Sequence, residues 1–422
     1  MANKGHNILV LGGGGREHAL CWKLRQSPLC GALYCAPGNA GIAQVAQCVP
    51  WQGQAAMIDF CRAHEIALVV PGSETLLLDG VVDALTEANI PAFGPSRAAA
   101  RLEGSKAFTK ELCAAEKIPT ARFRRFAARA QAQAWARTQA LPLVVKADGL
   151  AAGKGVIIAA TPQDVREAID AMFDGRFGAA GKTVVLEEYL RGTEMSFFAL
   201  CDGKRARPFA SAQDYKRIGD GDTGPNTGGM GAVSPSPLAS AALNARIMRR
   251  IIQPTMAAMR KRGTPFQGLL YAGLMICDGE PHLIEYNVRF GDPECQAMVA
   301  RLTSDLLPAL LACTSASLHR APTLRWSAQP SLLVVVASRG YPNAVAPGGE
   351  IRNLGALEKR LTVLFHAATK RRGERWHAAG GRVLNCVAQE KTLRAARQSA
   401  YTALKELDWP QAYYRKDIGD GL

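Results

Sequence analysis

A chain of 422 residues outgrows the single core that most domains support, so roughly two to four domains are expected. Its 48% hydrophobic and 21% charged residues belong to a soluble globular protein, and no apolar run reaches the length of a membrane span. The net charge of +15 leaves two classes of partner open, nucleic acid or small molecules carrying several phosphates.

The N-terminus runs into a strand without the apolar core of a signal peptide, which points to the cytoplasm. Eleven cysteines scattered through apolar segments, with no CxxC pair, read as reduced core thiols rather than bridges or zinc ligands. From residue 321 onward, 16 lysines and arginines face 8 acids, and the only dense cluster is Lys370-Arg371-Arg372 with Arg375. No aromatic residues interleave it in a nucleic-acid-binding pattern, so it reads as a solvated loop and nucleic acid is not the expected partner.

Ile8-Leu9-Val10-Leu11 reads as a buried strand, followed by Gly12-Gly13-Gly14-Gly15-Arg16-Glu17-His18 and a helix ending near Ser27-Pro28. That is the β-turn-α opening of a doubly wound sheet, where a helix N-terminus can hold an anion. It is a poor dinucleotide fingerprint. Glu17 stands where a third glycine belongs, and the second strand ends in Ala36-Pro37-Gly38-Asn39 without a ribose-binding acid. A phosphomonoester is the better candidate ligand; glycines needed only for a tight turn are the alternative. A helix over 55–64, a strand over 67–70, a helix over 80–88 and a strand over 91–93 complete an α/β parallel-sheet domain. Its strand ends gather the 12–16 loop, the turn Pro37-Gly38-Asn39-Ala40-Gly41 and Glu74 around one crevice.

Gly104-Ser105-Lys106 opens another helix, and Ile118-Pro119-Thr120 marks a linker. The next stretch, Val144-Val145-Lys146-Ala147-Asp148-Gly149-Leu150-Ala151-Ala152-Gly153-Lys154-Gly155-Val156-Ile157-Ile158, reads as strand, flexible loop, strand. Small residues let backbone N–H groups approach a phosphate, and Lys146 and Lys154 add mobile point charges. No Gly-Lys-Ser/Thr opens a helix here, so this is not a P-loop. An ordinary glycine hairpin with solvated lysines is the alternative.

A helix over 162–173 leads to a strand over 183–190, in which alternation sends Glu187 and Glu188 to opposite faces. Leu186, Tyr189 and Leu190 can supply an apolar slot for a purine, and Glu194 a ribose acceptor. Residues 219–231 hold too many glycines for a regular element and read as a long functional loop. A helix over 242–262 and a strand over 269–277 follow. On the strand Leu283-Ile284-Glu285-Tyr286-Asn287-Val288, Glu285 and Asn287 share a face and offer hard oxygen ligands suited to Mg²⁺. A hydrogen-bonded core pair is the alternative. Beyond the linker prolines Pro322 and Pro330, the remaining strands and a helix over 391–407 form a small mixed α/β domain. The expected boundaries are 1–103, 104–192, 193–328 and 329–422.

Several long motifs occur together and in order. They are Gly13-Gly14-Gly15-Arg16-Glu17-His18-Ala19, Pro37-Gly38-Asn39-Ala40-Gly41, Leu102-Glu103-Gly104-Ser105-Lys106 and the lysine hairpin. Asp222-Thr223-Gly224-Pro225-Asn226-Thr227-Gly228-Gly229-Met230-Gly231, Arg289-Phe290-Gly291-Asp292-Pro293-Glu294 and Arg415-Lys416-Asp417-Ile418-Gly419 complete the set. Over essentially its whole length the chain resembles the glycinamide ribonucleotide synthetase family of ATP-grasp ligases. The resemblance implies an N-terminal phosphoribosylamine-binding domain, a central ATP-grasp region in two parts and a C-terminal domain.

It also implies ATP with Mg²⁺ or Mn²⁺, and glycine and 5-phosphoribosylamine as the species joined, in a monomer or weak homodimer. Lys106, Lys146, Gly153, Lys154 and Gly155 would then hold phosphates. Glu187, Glu188, Tyr189, Leu190 and Glu194 would hold the adenosine, and Glu285 with Asn287 the metal. Gly13, Gly14, Gly15, Arg16, Glu17, Pro37, Gly38, Asn39, Glu74, Gly229, Met230 and Gly231 would surround the ribosylamine. Asp214 and Arg289 would lie near glycine, and with Lys154 make up the catalytic group. Two places depart from the family pattern: Gly72-Ser73-Glu74, followed by Thr75-Leu76-Leu77, stands where Gly-Pro-Glu is usual, and Gly273 where many ATP-grasp proteins carry a second carboxylate. Another ATP-dependent carboxylate-amine ligase, or a basic nucleic-acid-binding protein on the same fold, are the competing readings.

Overall fold

The computed structural model describes residues 5–150, 155–346 and 348–422. The N-terminal strands β1 (His6–Gly12), β2 (Cys30–Pro37), β3 (Gln47–Cys48) and β4 (Ile66–Pro71) form a parallel sheet in the order β3-β2-β1-β4. Ile8 and Val10 pack on one face and Leu9 and Leu11 on the other, so the sheet is buried on both sides as parallel sheets require. The strand expected over 91–93 shrinks to one bridge between Ala92 and Val69. Pro91 lacks an N–H and Gly94 abuts Gly268, so the segment has no room to extend.

The strands β5 (Phe123–Phe126), β6 (Leu143–Ala147), β7 (Val156–Ala159) and β8 (Val184–Glu188) make a small antiparallel sheet, β5-β8-β6-β7. Helices Arg129–Ala136 and Pro162–Ala171 pack against it around a core of its own. Leu186 is fully buried in that core, which removes it from the expected purine slot. Its side chain points to the helices because the alternation that places Glu187 on one face places Leu186 on the other.

Next come β9 (Thr193–Asp202), β10 (Ala206–Asp214), β11 (Arg217–Gly219), β12 (Thr223–Asn226), β13 (Gly231–Ser234), β14 (Gln267–Cys277) and β15 (Glu280–Asn287). The C-terminal part adds β16 (Ser331–Ser338), β17 (Glu350–Ile351), β18 (Val363–His366), β19 (Thr369–Arg372), β20 (Arg375–Ala378), β21 (Arg382–Gln389) and β22 (Ala412–Tyr413). Nine of these form one antiparallel sheet, β15-β14-β9-β10-β13-β16-β21-β18 with β22 on β16. Gly231 pairs with Val334 and Val233 with Leu332, so the C-terminal strands extend the central sheet.

Residues 219–231 also depart from the expected irregular loop. β11 and β12 pair as a hairpin, and Gly231 opens β13. The glycines serve positive-φ positions at Gly221, Gly224 and Gly229, and Asp222 in the turn Asp220–Asp222 is also left-handed, at φ +53°. The helix expected over 242–262 runs from Ala241 to Lys261 with a π-turn at Met248–Ile252.

The linker at 118–120 is a strap laid along β15. Leu283 N donates to Pro119 O at 2.8 Å, and Thr120 Oγ1 donates to Leu283 O at 2.6 Å.

Candidate active site

The residues expected to hold the nucleotide meet where the helix Lys106–Ala115 approaches the lysine hairpin. Ser105 caps the helix through Phe108 N and donates to Asp148 Oδ1 at 2.9 Å, while Lys106 Nζ reaches Gly149 O at 3.0 Å. Lys146 on β6 lies beside β8, where its Nζ donates to Glu187 Oε2 at 2.9 Å. A third residue, Lys110, donates to the same oxygen at 2.8 Å. All three groups are buried. Burial alone would raise the Glu187 pKa, but Lys146 and Lys110 outweigh it and hold the carboxyl below its usual range. Its second oxygen, Oε1, is buried without a hydrogen-bond partner, an acceptor suited to an amino or hydroxyl donor. Glu188 takes the opposite face as expected and pairs with Arg122 at 2.7 Å. Tyr189 is exposed and Leu190 half-buried beside it. Gly155 O accepts from Ala147 N at the mouth of the hairpin, whereas Gly153 and Lys154 lie outside the described residues.

The central wall is one face of the nine-stranded sheet. Ser196, Gly273 and Glu285 stand on one rung across β9, β14 and β15, with Tyr271 and Asn287 on the next. Glu285 and Asn287 are half-buried, and neither side chain makes a hydrogen bond or ion pair with the described residues. A core pair would be bonded. Two unengaged oxygen donors on one face instead fit a hard divalent cation that completes its shell with water and phosphate. Gly273 leaves that rung open, since a Cβ there would sit 3.5 Å from Glu285 Cγ. Among the described residues no cluster of three or more His, Cys, Asp or Glu could hold a metal, so β15 supplies only part of a shell.

A line of charged and polar groups runs from there to the N-terminal loop. Lys216 Nζ bridges Glu194 Oε2 at 2.8 Å and Asp214 Oδ1 at 3.0 Å. The Lys216 charge holds the Glu194 pKa down, helped by Lys146 farther along. Asp214 goes the other way: burial raises its pKa despite Lys216. Ser196 Oγ lies 3.5 Å from Asp214 and 2.9 Å from the Tyr271 hydroxyl, which donates to Glu294 Oε1 at 2.7 Å. Burial, aided by the Asp214 charge, pushes Glu294 up to about 7. Arg289 is clamped between Glu74 Oε2 at 3.2 Å and Glu103 Oε1 at 3.0 Å, and these carboxylates outweigh burial to raise its pKa. Ser73, the departure from the family pattern, caps the helix Glu74–Leu78 through Thr75 N and so still presents Glu74.

At the far end, Gly38 N donates to Gly12 O, and a Cβ on Gly13 would press on Gly38 O, so the two glycine turns are in contact. Arg16 donates to Phe290 O at 3.1 Å and to Glu17 Oε1 at 2.6 Å. Glu17 Oε2 accepts from Gly14 N, so this carboxylate already fills the first turn of the helix Gly15–Arg25. Gly15 abuts Gln296 and Asn385. Asn39 is spent on structure: its amide donates to Gly13 O, His366 O and Ala367 O, and its oxygen accepts from Gly41 N and Ile42 N. Pro37 is exposed at the rim. Gly229, at φ +106°, leaves room for Pro293, while Met230 is fully buried and Gly231 lies within the sheet. Arg382 closes this end by donating to Gly228 O and to both the backbone and carboxylate oxygens of Asp292.

One set of contacts thus links Lys146 with Glu187, Lys216 with Glu194 and Asp214, and Arg289 with Glu74, while Glu285 and Asn287 share a face of β15 and Arg16 and Arg289 both donate to Phe290 O. Sequence reasoning missed Lys110, Ser196, Lys216, Tyr271, Glu294 and Arg382 as members. Lys216 and Glu294 lie within conspicuous polar motifs. Ser196 and Tyr271 sit beside apolar neighbours on two strands and Lys110 in an ordinary mixed helix, where nothing local distinguishes them.

Comparison with known proteins bears on this arrangement. Residues 6–103, 104–295 and 331–421 match the N domain, the ATP-grasp (A) domain and the C domain of phosphoribosylglycinamide synthetase. The chain is 53% identical to a phosphoribosylamine–glycine ligase of Brucella melitensis over 98% of its own length and 97% of that protein's. A solved phosphoribosylamine–glycine ligase from Thermotoga maritima superposes with a TM-score of 0.86 at 31% identity, covering 98% of this chain and 100% of that one. A biotin carboxylase from Campylobacter jejuni shares the fold at 14% identity, with a TM-score of 0.73 over 97% and 93% of the two chains. Full-length similarity at this level leaves one assignment: the chain belongs to the phosphoribosylglycinamide synthetase family of ATP-grasp ligases.

Proposed function

We infer that the chain is an ATP-dependent ligase that joins glycine to 5-phosphoribosylamine, giving glycinamide ribonucleotide, ADP and phosphate in purine biosynthesis. A carboxylate is a poor acyl donor. The glycine carboxylate therefore takes the γ-phosphoryl group of ATP to become glycyl phosphate, and the ribosylamine nitrogen displaces phosphate to form the amide. This route requires no protein nucleophile, so the residues contribute position and charge.

Lys106, Lys146 and Lys154, with Gly153 and Gly155, hold the triphosphate in this reading. Glu187, Glu188, Tyr189, Leu190 and Glu194 surround the adenosine. Glu285 and Asn287 hold magnesium or manganese, which neutralises phosphate charge when bound. Asp214 and Arg289 orient glycine, and Lys154 completes the catalytic group. Arg16, the turns at Gly13-Gly14-Gly15 and Pro37-Gly38, Glu74 and Gly229 form the ribosylamine end. Glu17, Asn39, Met230 and Gly231 shape that end from behind. The observation that carries this reading is the set of charged and polar groups running from Lys146 and Glu187 through Lys216, Asp214, Tyr271 and Glu294 to Arg289 and Arg16, which would join a nucleotide end to a phosphomonoester end.

Among the described residues no helix is long and apolar enough to cross a membrane. All eleven cysteines are free, consistent with a reducing compartment, and we assign the chain to the cytoplasm as a monomer or weak homodimer. The test is ADP release with glycine and phosphoribosylamine supplied separately and together. Sustained release is expected only with both; a rate independent of phosphoribosylamine would overturn the reading.

A further inference from the structure

The C-terminal hairpin carries a basic cleft that the ligase reaction leaves unused. β19 and β20 pair so that Lys370 stands opposite His377 and Arg372 opposite Arg375, all on one face. On the adjoining strand β17, Glu350 pairs with His377 and is the one acid on that face. Its carboxylate is engaged at the far edge by Arg352 at 3.6 Å and Arg375 at 3.9 Å. Lys370, Arg372 and His377 are left without any hydrogen bond or ion pair among the described residues. They line a cleft of about 470 Å³ together with Gly348, Gly349 and Gly380. Arg371 points to the opposite face, where it stacks on Trp376 at 5.6 Å.

Like charges brought together without counterions raise the energy of the free protein, and a bound anion relieves it. The forked guanidinium of Arg372 and the ammonium of Lys370 suit phosphate oxygens, and glycine backbone lets the group approach closely. The cleft is larger than one phosphate needs and lies within the range of small-molecule sites. We propose that it binds a phosphorylated small molecule bearing at least two negative charges, at a site separate from the reaction cleft.

The site is a hairpin connection away from the reaction cleft on each side. Residues 366–367 preceding β19 accept from Asn39, and Arg382 just beyond β20 grips Asp292. The charged groups of the basic cleft touch neither.

The test uses inorganic pyrophosphate, titrated calorimetrically into the full chain already saturated with a magnesium complex of a non-hydrolysable ATP analogue. Wild type is expected to bind one pyrophosphate, and K370A/R372A to bind it at least about tenfold more weakly. Ligase turnover by the variant should be unchanged. Equal binding by both proteins would overturn the proposal. So would wild-type affinity for a single-stranded oligonucleotide that exceeds that for pyrophosphate and grows with length, which would mark a nucleic-acid surface.

Discussion

The Glu187 carboxylate shows how much one residue decides. A strand-borne acid with two lysine ammonium groups at 2.8 and 2.9 Å is stable only as a set, because each charge compensates the burial of the others. Glu187→Gln would leave Lys110 and Lys146 facing each other in a buried pocket. It should destabilise the fold by about 3–5 kcal/mol in urea denaturation, with saturating MgATP recovering part of the loss. A deficit below about 0.5 kcal/mol would mean that the lysines find other partners. Glu285 is the opposite case, half-buried and bonded to none of the described residues. Glu285→Gln should therefore fold normally by circular dichroism but lose about two to three orders of magnitude in kcat, as expected for a preorganised charge next to the reacting phosphates. An unchanged rate would remove β15 from the metal site.

Elements were legible in the sequence where period and turn chemistry agreed. The parallel opening sheet followed from Ile8 to Leu11 and the glycine turn, and the shared face of Glu285 and Asn287 from simple alternation. The run 219–231 reads from sequence as a loop because its glycines argue against regular structure, yet part of it pairs in the β11–β12 hairpin. What makes it a hairpin is distant in sequence: Arg415 donates to Arg217 O at 3.1 Å, Asp222 at 2.7 Å and Asp417 at 2.7 and 2.6 Å, and Asp417 accepts from Gly221 N. Such long-range tethers leave no local trace, which is also why the union of β13 with β16 went unseen. Arg415→Gln should free this hairpin. Hydrogen exchange at 217–226 is expected to rise markedly at a stability cost of about 1–3 kcal/mol, the range for lost hydrogen bonds to charged groups. Unaltered exchange would show that the β11–β12 pairing holds itself.

At the scale of the whole molecule, the central and C-terminal strands form one sheet, and the N-terminal loop is locked to it through Asn39, Gly15 and Arg16. The proposed reaction site therefore draws on parts distant in sequence: the lysine hairpin, the Glu285–Asn287 face of β15 and the N-terminal glycine loop. The motifs disclosed the residues proposed for its two ends, but the hydrogen-bonded run from Asp214 through Ser196 and Tyr271 to Glu294 emerged only from the fold. In the proposed reaction glycine is activated by phosphoryl transfer and then passed on to the ribosylamine. Glycine labelled with ¹⁸O in its carboxylate reads that path directly. One labelled oxygen should appear in the released phosphate for each glycinamide ribonucleotide formed, and phosphate free of label would contradict activation through a glycyl phosphate.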